Sequence, residues 1–195
     1  MSFPAGSFNL EKTKDAIWFW VQSVAASRIQ DSQIIWRDQS EPLPKRPCIT
    51  LKIIDGPSPI ARNGNLMPLQ SSNGPYTVGI QLEMVVSVQI FGDTRAGKSL
   101  ALQLSMDLNS SLIRQTILDK LQLSQVAVQE VGKVRNLSAL EESQYEERAG
   151  FEVGFGCVQN ITDQPGFIET VNVEVKAKNA AGTVVYDKTK NIVLP

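Results

Sequence analysis

One string in this chain matches a pattern that carries chemistry. Four residues stand at the spacing of the phosphate-binding P-loop: Gly92, Gly97, Lys98 and Ser99. In a nucleotide-binding protein the backbone N–H groups of such a loop surround the phosphates, Lys98 would reach the outer phosphates, and Ser99 would ligate magnesium. The other interpretation is a tight turn between a strand and a helix, in which Asp93 or Thr94 caps the helix.

The elements that must position this string favour the turn. Apolar and polar residues alternate from Tyr76 to Ile90, which predicts a long strand with one face exposed to water. P-loop sheets are parallel, and their strands are almost continuously apolar because both faces are buried. The best aspartate for magnesium, Asp187, belongs to a predicted hairpin. A P-loop nucleotide-binding protein is therefore kept as the alternative from a second class, and no cofactor is expected.

The composition excludes several kinds of catalysis. The 195 residues include no histidine and only two cysteines, Cys48 and Cys157. Without histidine there is no Ser-His-Asp or Cys-His nucleophile and no His-ligated zinc or iron. Both cysteines lie in apolar runs and are expected to be buried free thiols. We expect that the protein is not an enzyme.

Charge and hydropathy limit the partners. The chain has 19 Lys and Arg residues against 20 Asp and Glu, which does not suit a protein that binds by neutralising many phosphates. Four glutamates near Arg148 are interpreted as a solvated face and not as a metal site: Glu141, Glu142, Glu146 and Glu147. The longest apolar stretch, Ala16 to Val21, is far too short to span a bilayer. We expect a soluble cytoplasmic product without a membrane partner.

Two helices are predicted. The first runs from Asn9, its N-cap, to about Ala26, and Phe19 points away from its apolar stripe. The second runs from Arg95 to about Leu121 and carries two apolar stripes. One of these stripes consists of Leu102, Met106, Ile113 and Ile117. Such a helix must be covered on two sides, by the sheet and by either the first helix or another subunit.

The remaining patterns predict strands. Alternation predicts strands at residues 46–54, 76–90, 126–134 and 145–157. Prolines and glycines between Asp55 and Pro75 predict no regular element there. The stretch from Phe167 to Leu194 is predicted to form a hairpin. Together these elements predict an α+β domain at 1–164, with a mostly antiparallel sheet packed by two helices, and a C-terminal β-hairpin extension at 165–195.

Four strings and the order of the elements resemble the tail terminator or neck proteins of tailed bacteriophages. The strings are Arg46–Leu51, Val86–Gly92, Asn136–Leu140 and Glu146–Val153. The resemblance implies a structural virion protein of the tail or neck, assembled in the host cytoplasm. It also implies a homohexameric ring that caps the tail tube, and the sheath of a contractile tail, and stops their polymerisation. The ring would join head-completion or connector proteins, and DNA would cross its lumen without specific binding. Another tail, baseplate or head–tail connector component is the alternative within this class.

A ring subunit needs two contact faces, which would explain the second helical stripe and Phe19. We therefore predict subunit or partner contacts on the helices and on the C-terminal arm. The predicted interface residues are Phe19, Leu102, Met106, Ile113, Ile117, Phe167 and Val171. The Pro- and Gly-rich segment from Gly56 to Pro75 is a further candidate.

Overall fold

The architecture is α+β, as predicted, with one large and mostly antiparallel sheet and a layer of helices on one of its faces. The computed structural model describes residues 8–37, 43–60, 66–69, 76–93, 99–141, 144–163, 170–178 and 184–193.

The helical layer consists of α1 Leu10–Ala25, α2 Leu100–Ser111 and α3 Gln115–Leu123. Helix α1 begins where it was predicted because the Asn9 side chain accepts the backbone N–H of Lys12 at 2.9 Å. A short 3₁₀ helix, Asp31–Gln33, follows α1 and leads into the first strand.

The prediction of one helix from Arg95 to Leu121 is wrong. Helix α2 begins only at Leu100. Arg114 has an extended backbone, with φ −77° and ψ 125°, and it separates α2 from α3. Leu112 and Ile117 are both buried. In a straight helix these positions would point about 140° apart. The break lets both side chains enter the same core.

The strands follow the alternating patterns. Their bounds are β1 Ile34–Trp36, β2 Cys48–Pro59, β3 Leu66–Leu69, β4 Tyr76–Phe91, β5 Val126–Val131, β6 Arg135–Asn136, β7 Ala139–Glu141, β8 Gln144–Glu146, β9 Arg148–Asp163, β10 Thr170–Lys178 and β11 Val184–Val193. The predicted strands at 46–54, 76–90, 126–134 and 145–157 are confirmed as β2, β4, β5 and β9, with shifted ends. The start of the last one is wrong, because Tyr145 belongs to the separate short strand β8, which pairs with β7.

The main sheet has the order β1-β2-β4-β9-β5, with β3 also beside β4 and β6 also beside β9. Strands β4 and β9 pair antiparallel along their whole length, from Tyr76 opposite Asp163 to Phe91 opposite Arg148. Among the described strands only β1 and β2 pair in parallel. Along the middle of β4 and β9 burial alternates as predicted, since Met84 and Val153 lie in the core while Glu152 reaches solvent.

The core lies between this sheet and the helices. Trp20 of α1 packs edge-on against Phe155 of β9, with ring centroids 6.2 Å apart. Its indole Nε1 donates to the Ser111 hydroxyl at 2.8 Å, so a buried polar atom is paired. One side chain thereby ties α1 to both α2 and the sheet.

The prediction of no regular element between Asp55 and Pro75 is wrong in two places. Strand β2 continues to Pro59, and β3 forms at Leu66–Leu69. Strand β1 pairs with β2 only at residues 49–51, so the later part of β2 has no described strand on that side. An edge strand tolerates proline because no partner there needs its N–H.

Strands β10 and β11 form an antiparallel hairpin, with Thr170 opposite Val193 and Lys178 opposite Val184. The predicted C-terminal hairpin is therefore confirmed. Phe167 lies outside the described residues. The division into a domain at 1–164 and an arm at 165–195 stays a prediction.

Candidate interaction surfaces and the start of helix α2

The start of α2, where the P-loop-like string ends, holds a carboxylate of the protein itself. Glu147 is buried, and its Oε1 accepts the backbone N–H of Ala101 at 2.8 Å. The backbone N–H of Gly92 donates to the Glu147 carbonyl at 2.9 Å. Because the free N–H groups of a helix N-terminus attract negative charge, Glu147 stabilises α2 at the place where a P-loop would bind phosphate.

This arrangement corrects the predicted cap. The N-cap of α2 is Ser99, which makes no side-chain capping hydrogen bond, so Asp93 is not at the capping position. Thr94 lies outside the described residues. Gly92 has a packing role, since a Cβ atom there would overlap the Glu147 carboxylate. Gly97 and Lys98 lie outside the described residues.

The interpretation of the glutamates as a solvated face is wrong for Glu147 and incomplete for Glu146. The Arg46 guanidinium donates to Glu146 Oε1 at 2.8 Å. It also lies over the Phe91 ring, 5.8 Å from the centroid, and Arg148 lies 5.2 Å from the same centroid. This end of the sheet therefore has its charges paired or stacked against an aromatic ring.

The two cysteines are buried and free, as predicted. Burial raises the pKa of the Cys157 thiol to about 11, and burial also raises the pKa of Cys48. A thiol with a raised pKa is a poor nucleophile at neutral pH because little thiolate is present.

The described part of the chain holds no group of three or more Cys, Asp or Glu residues able to bind a metal ion. Its helices are too short or too polar to cross a membrane.

The outer side of the helical layer differs from the start of α2, because large apolar side chains reach solvent there. Phe19 is 61% exposed and Met106 is 53% exposed, and Ile113, in the break between α2 and α3, is 82% exposed. The prediction that Phe19 points away from the core is confirmed. Leu102 is half-buried and packs against the core.

Ile117 does not share this exposure. It is buried in the core, because the break before α3 turns this side chain inward. Ile117 and Phe19 both line a groove of about 290 Å³ between α1 and α3. Val171 lies in β10, opposite Ile192. The role of all these residues in an interface stays a prediction.

Sequence reasoning missed one member of this surface. Leu123, the last residue of α3, is 81% exposed. The single long helix that was predicted ended before it, so its position on a separate short helix had no signal in the periodicity.

The described fold is that of an α+β protein with large apolar side chains exposed on its helical layer. The model of a phage neck terminator protein family matches residues 12–180. The chain belongs to this family and is a structural component of the phage tail or neck. Among curated proteins, none matches the chain.

Proposed function

We propose that this protein is the tail terminator of its phage. Copies of the chain form a homohexameric ring on the head-proximal end of the tail tube and stop its polymerisation. In a contractile tail the ring also caps the sheath. Its other face joins head-completion or connector proteins. The family supports the tail or neck role, and the surfaces of the subunit support the ring.

The main observation that supports a ring is the set of exposed apolar side chains on the helical layer. The set consists of Phe19, Met106, Ile113 and Leu123, each more than half exposed. These side chains support an interface on this layer, because covering them on assembly would remove apolar surface from water. A closed ring gives each subunit two neighbours, so it can cover more than one such face.

DNA crosses the lumen of this ring without specific binding. The water-facing side of the central sheet carries both charge signs, since Lys52 lies beside Ser87, which lies beside Glu152. Strong binding to DNA needs a cationic surplus that neutralises phosphates. A mixed surface lets DNA slide past.

The test is the length of tail tubes assembled in vitro. The purified tube protein of the same phage is polymerised with and without the full chain, and tube lengths and ends are measured by negative-stain electron microscopy. We expect wild-type protein to cap one end of the tube and stop its growth. Mass measurement should show that the cap is a ring of six copies. Met106→Lys and Ile113→Lys should fail to cap.

Thr116→Lys is the matched control, because Thr116 is an exposed polar residue of α3 close to Ile113. It should cap like wild type. Tubes that grow unchanged in the presence of wild-type protein would contradict the proposal and favour another tail, baseplate or connector component. Normal capping by Met106→Lys and Ile113→Lys would remove the helical layer from the interface.

A further inference from the structure

Among the described strands, two stretches of edge in the main sheet differ in construction. On one side, β2 has no described partner strand after its short pairing with β1. On the other side, β5 pairs with β9 only as far as Cys157. Among the described strands, Val158–Asp163 of β9 therefore has β4 on one side and none on the other. A free edge offers unpaired N–H and C=O groups to an added strand.

The edge of β2 is closed to such an addition. Pro57 and Pro59 have no N–H to donate. The pairing of β2 with β4 also shifts register twice, between Ile53 and Asp55 and between Asp55 and Ser58. Prolines and bulges are devices by which proteins deter strand addition at an edge.

The edge at Val158–Asp163, which we call the open edge, has none of these devices. It contains no proline and no lysine, and its register with β4 is unbroken. Val158 is 40% exposed. A cavity of about 360 Å³ lies where β5 starts beside β9, and Val126, Cys157 and Val158 are among its lining residues. A strand that continued the line of β5 would fill this space.

The chain itself contains a segment suited to this edge. The hairpin β10–β11 forms a separate two-stranded sheet and does not join the main sheet. A two-stranded ribbon alone is marginally stable in water, and a third strand stabilises it. Its register puts Val171 with Ile192 and Ala177 with Tyr186, and cross-strand partners share a face.

Charge also favours this pairing. The two hairpin strands contain four lysines, Lys176, Lys178, Lys188 and Lys190, against two carboxylates, Glu174 and Asp187. The charged residues of β5 and of the open edge are Glu130 and Asp163, both acidic. A cationic ribbon beside an acidic edge is electrostatically complementary.

We propose that the β10–β11 hairpin of one copy adds as a strand to the open edge of a neighbouring copy, so that the sheet continues from subunit to subunit. This inference rests on the proposed ring, because it names the contact by which one subunit holds the next. It differs from the helical interface, which uses exposed side chains of the helices and not the edge of a strand.

The direct test is photo-cross-linking between copies. Val158 is replaced by p-benzoylphenylalanine in unlabelled full-length chain, which is mixed with ¹⁵N-labelled wild type in the presence of tail tubes. We expect cross-links from unlabelled to labelled copies at residues 170–193. The same replacement at Ile54, an exposed apolar residue of β2, is the control and should give none. Cross-links within one copy, cross-links elsewhere, or no cross-link from position 158 would overturn the inference.

Two lysine variants separate this inference from the proposed function. Val158→Lys should reduce capping at least tenfold, and Ile54→Lys should cap like wild type. If Val158→Lys caps normally, the open edge is not the contact although the terminator function stands. If wild-type chain caps nothing yet cross-links between copies at 158, the terminator function fails and the edge contact stands.

Discussion

The start of α2 and the outer side of the helical layer are both predicted from the sequence as candidate sites, and they differ in the structure. At the start of α2, Glu147 takes the place that a bound phosphate would have in a P-loop. Its side chain accepts the Ala101 N–H, and its carbonyl accepts the Gly92 N–H. On the helical layer, Phe19 and Ile113 are left open to solvent. The comparison shows that a recognisable motif can coincide with a stabilising contact, whereas the interface that we propose lies on a surface that matches no motif.

The largest expected effect is at the start of α2. Glu147→Ala removes a buried, charge-assisted hydrogen bond and leaves the Ala101 N–H without its acceptor. We expect a loss of about 3 kcal/mol of unfolding free energy, measured by urea denaturation. Glu146→Ala is the matched control, since it removes a partly exposed ion pair with Arg46 and should cost at most about 1 kcal/mol. Equal costs for the two variants would contradict the capping role of Glu147.

The second effect concerns pH and the buried thiol of Cys157. Its pKa is raised from 9.0 to about 11 because burial disfavours the thiolate. The folded state therefore holds this proton more tightly than the unfolded state does. The contribution of the protonated thiol to the free energy of unfolding is complete below pH 9 and is lost as pH rises to about 11. We expect Cys157→Ser to flatten the fall in stability over this range, measured as urea midpoint against pH. An unchanged slope would show that the thiol is not the titrating group.

The sequence predicts the exposed side of the helical layer better than the contacts at the start of α2. The alternation in β4 and β9 reports directly which residues face the core, so those strands and the exposure of Phe19 followed from periodicity. The role of Glu147 did not, because it depends on a contact with Ala101, which is distant in sequence. The break at Arg114 was also hidden, since neither glycine nor proline marks it and tertiary packing decides it.

The third effect is small for stability and large for assembly. Ile113→Lys changes a side chain that is 82% exposed, so we expect a change of less than about 0.5 kcal/mol in unfolding free energy. The same variant should abolish tube capping. Leu112→Lys, at the buried neighbour, should instead lower stability by several kcal/mol, about the cost of placing an unpaired charge in the core. A capping defect in Ile113→Lys that came with loss of folding would erase the distinction between surface and core.

The smallest expected effect is no effect, and it tests the P-loop-like string. We expect no heat of binding when ATP and magnesium are titrated into the wild-type chain, because a triphosphate at the start of α2 would meet the negative charge of Glu147. Lys98→Ala should behave like wild type in this titration and in tube capping. Glu147→Gln is the informative companion, since it removes the charge and keeps a similar shape. Micromolar binding by wild type that Lys98→Ala abolishes would make the string functional. Binding that appears only in Glu147→Gln would show that the buried carboxylate is what excludes phosphate from this helix end.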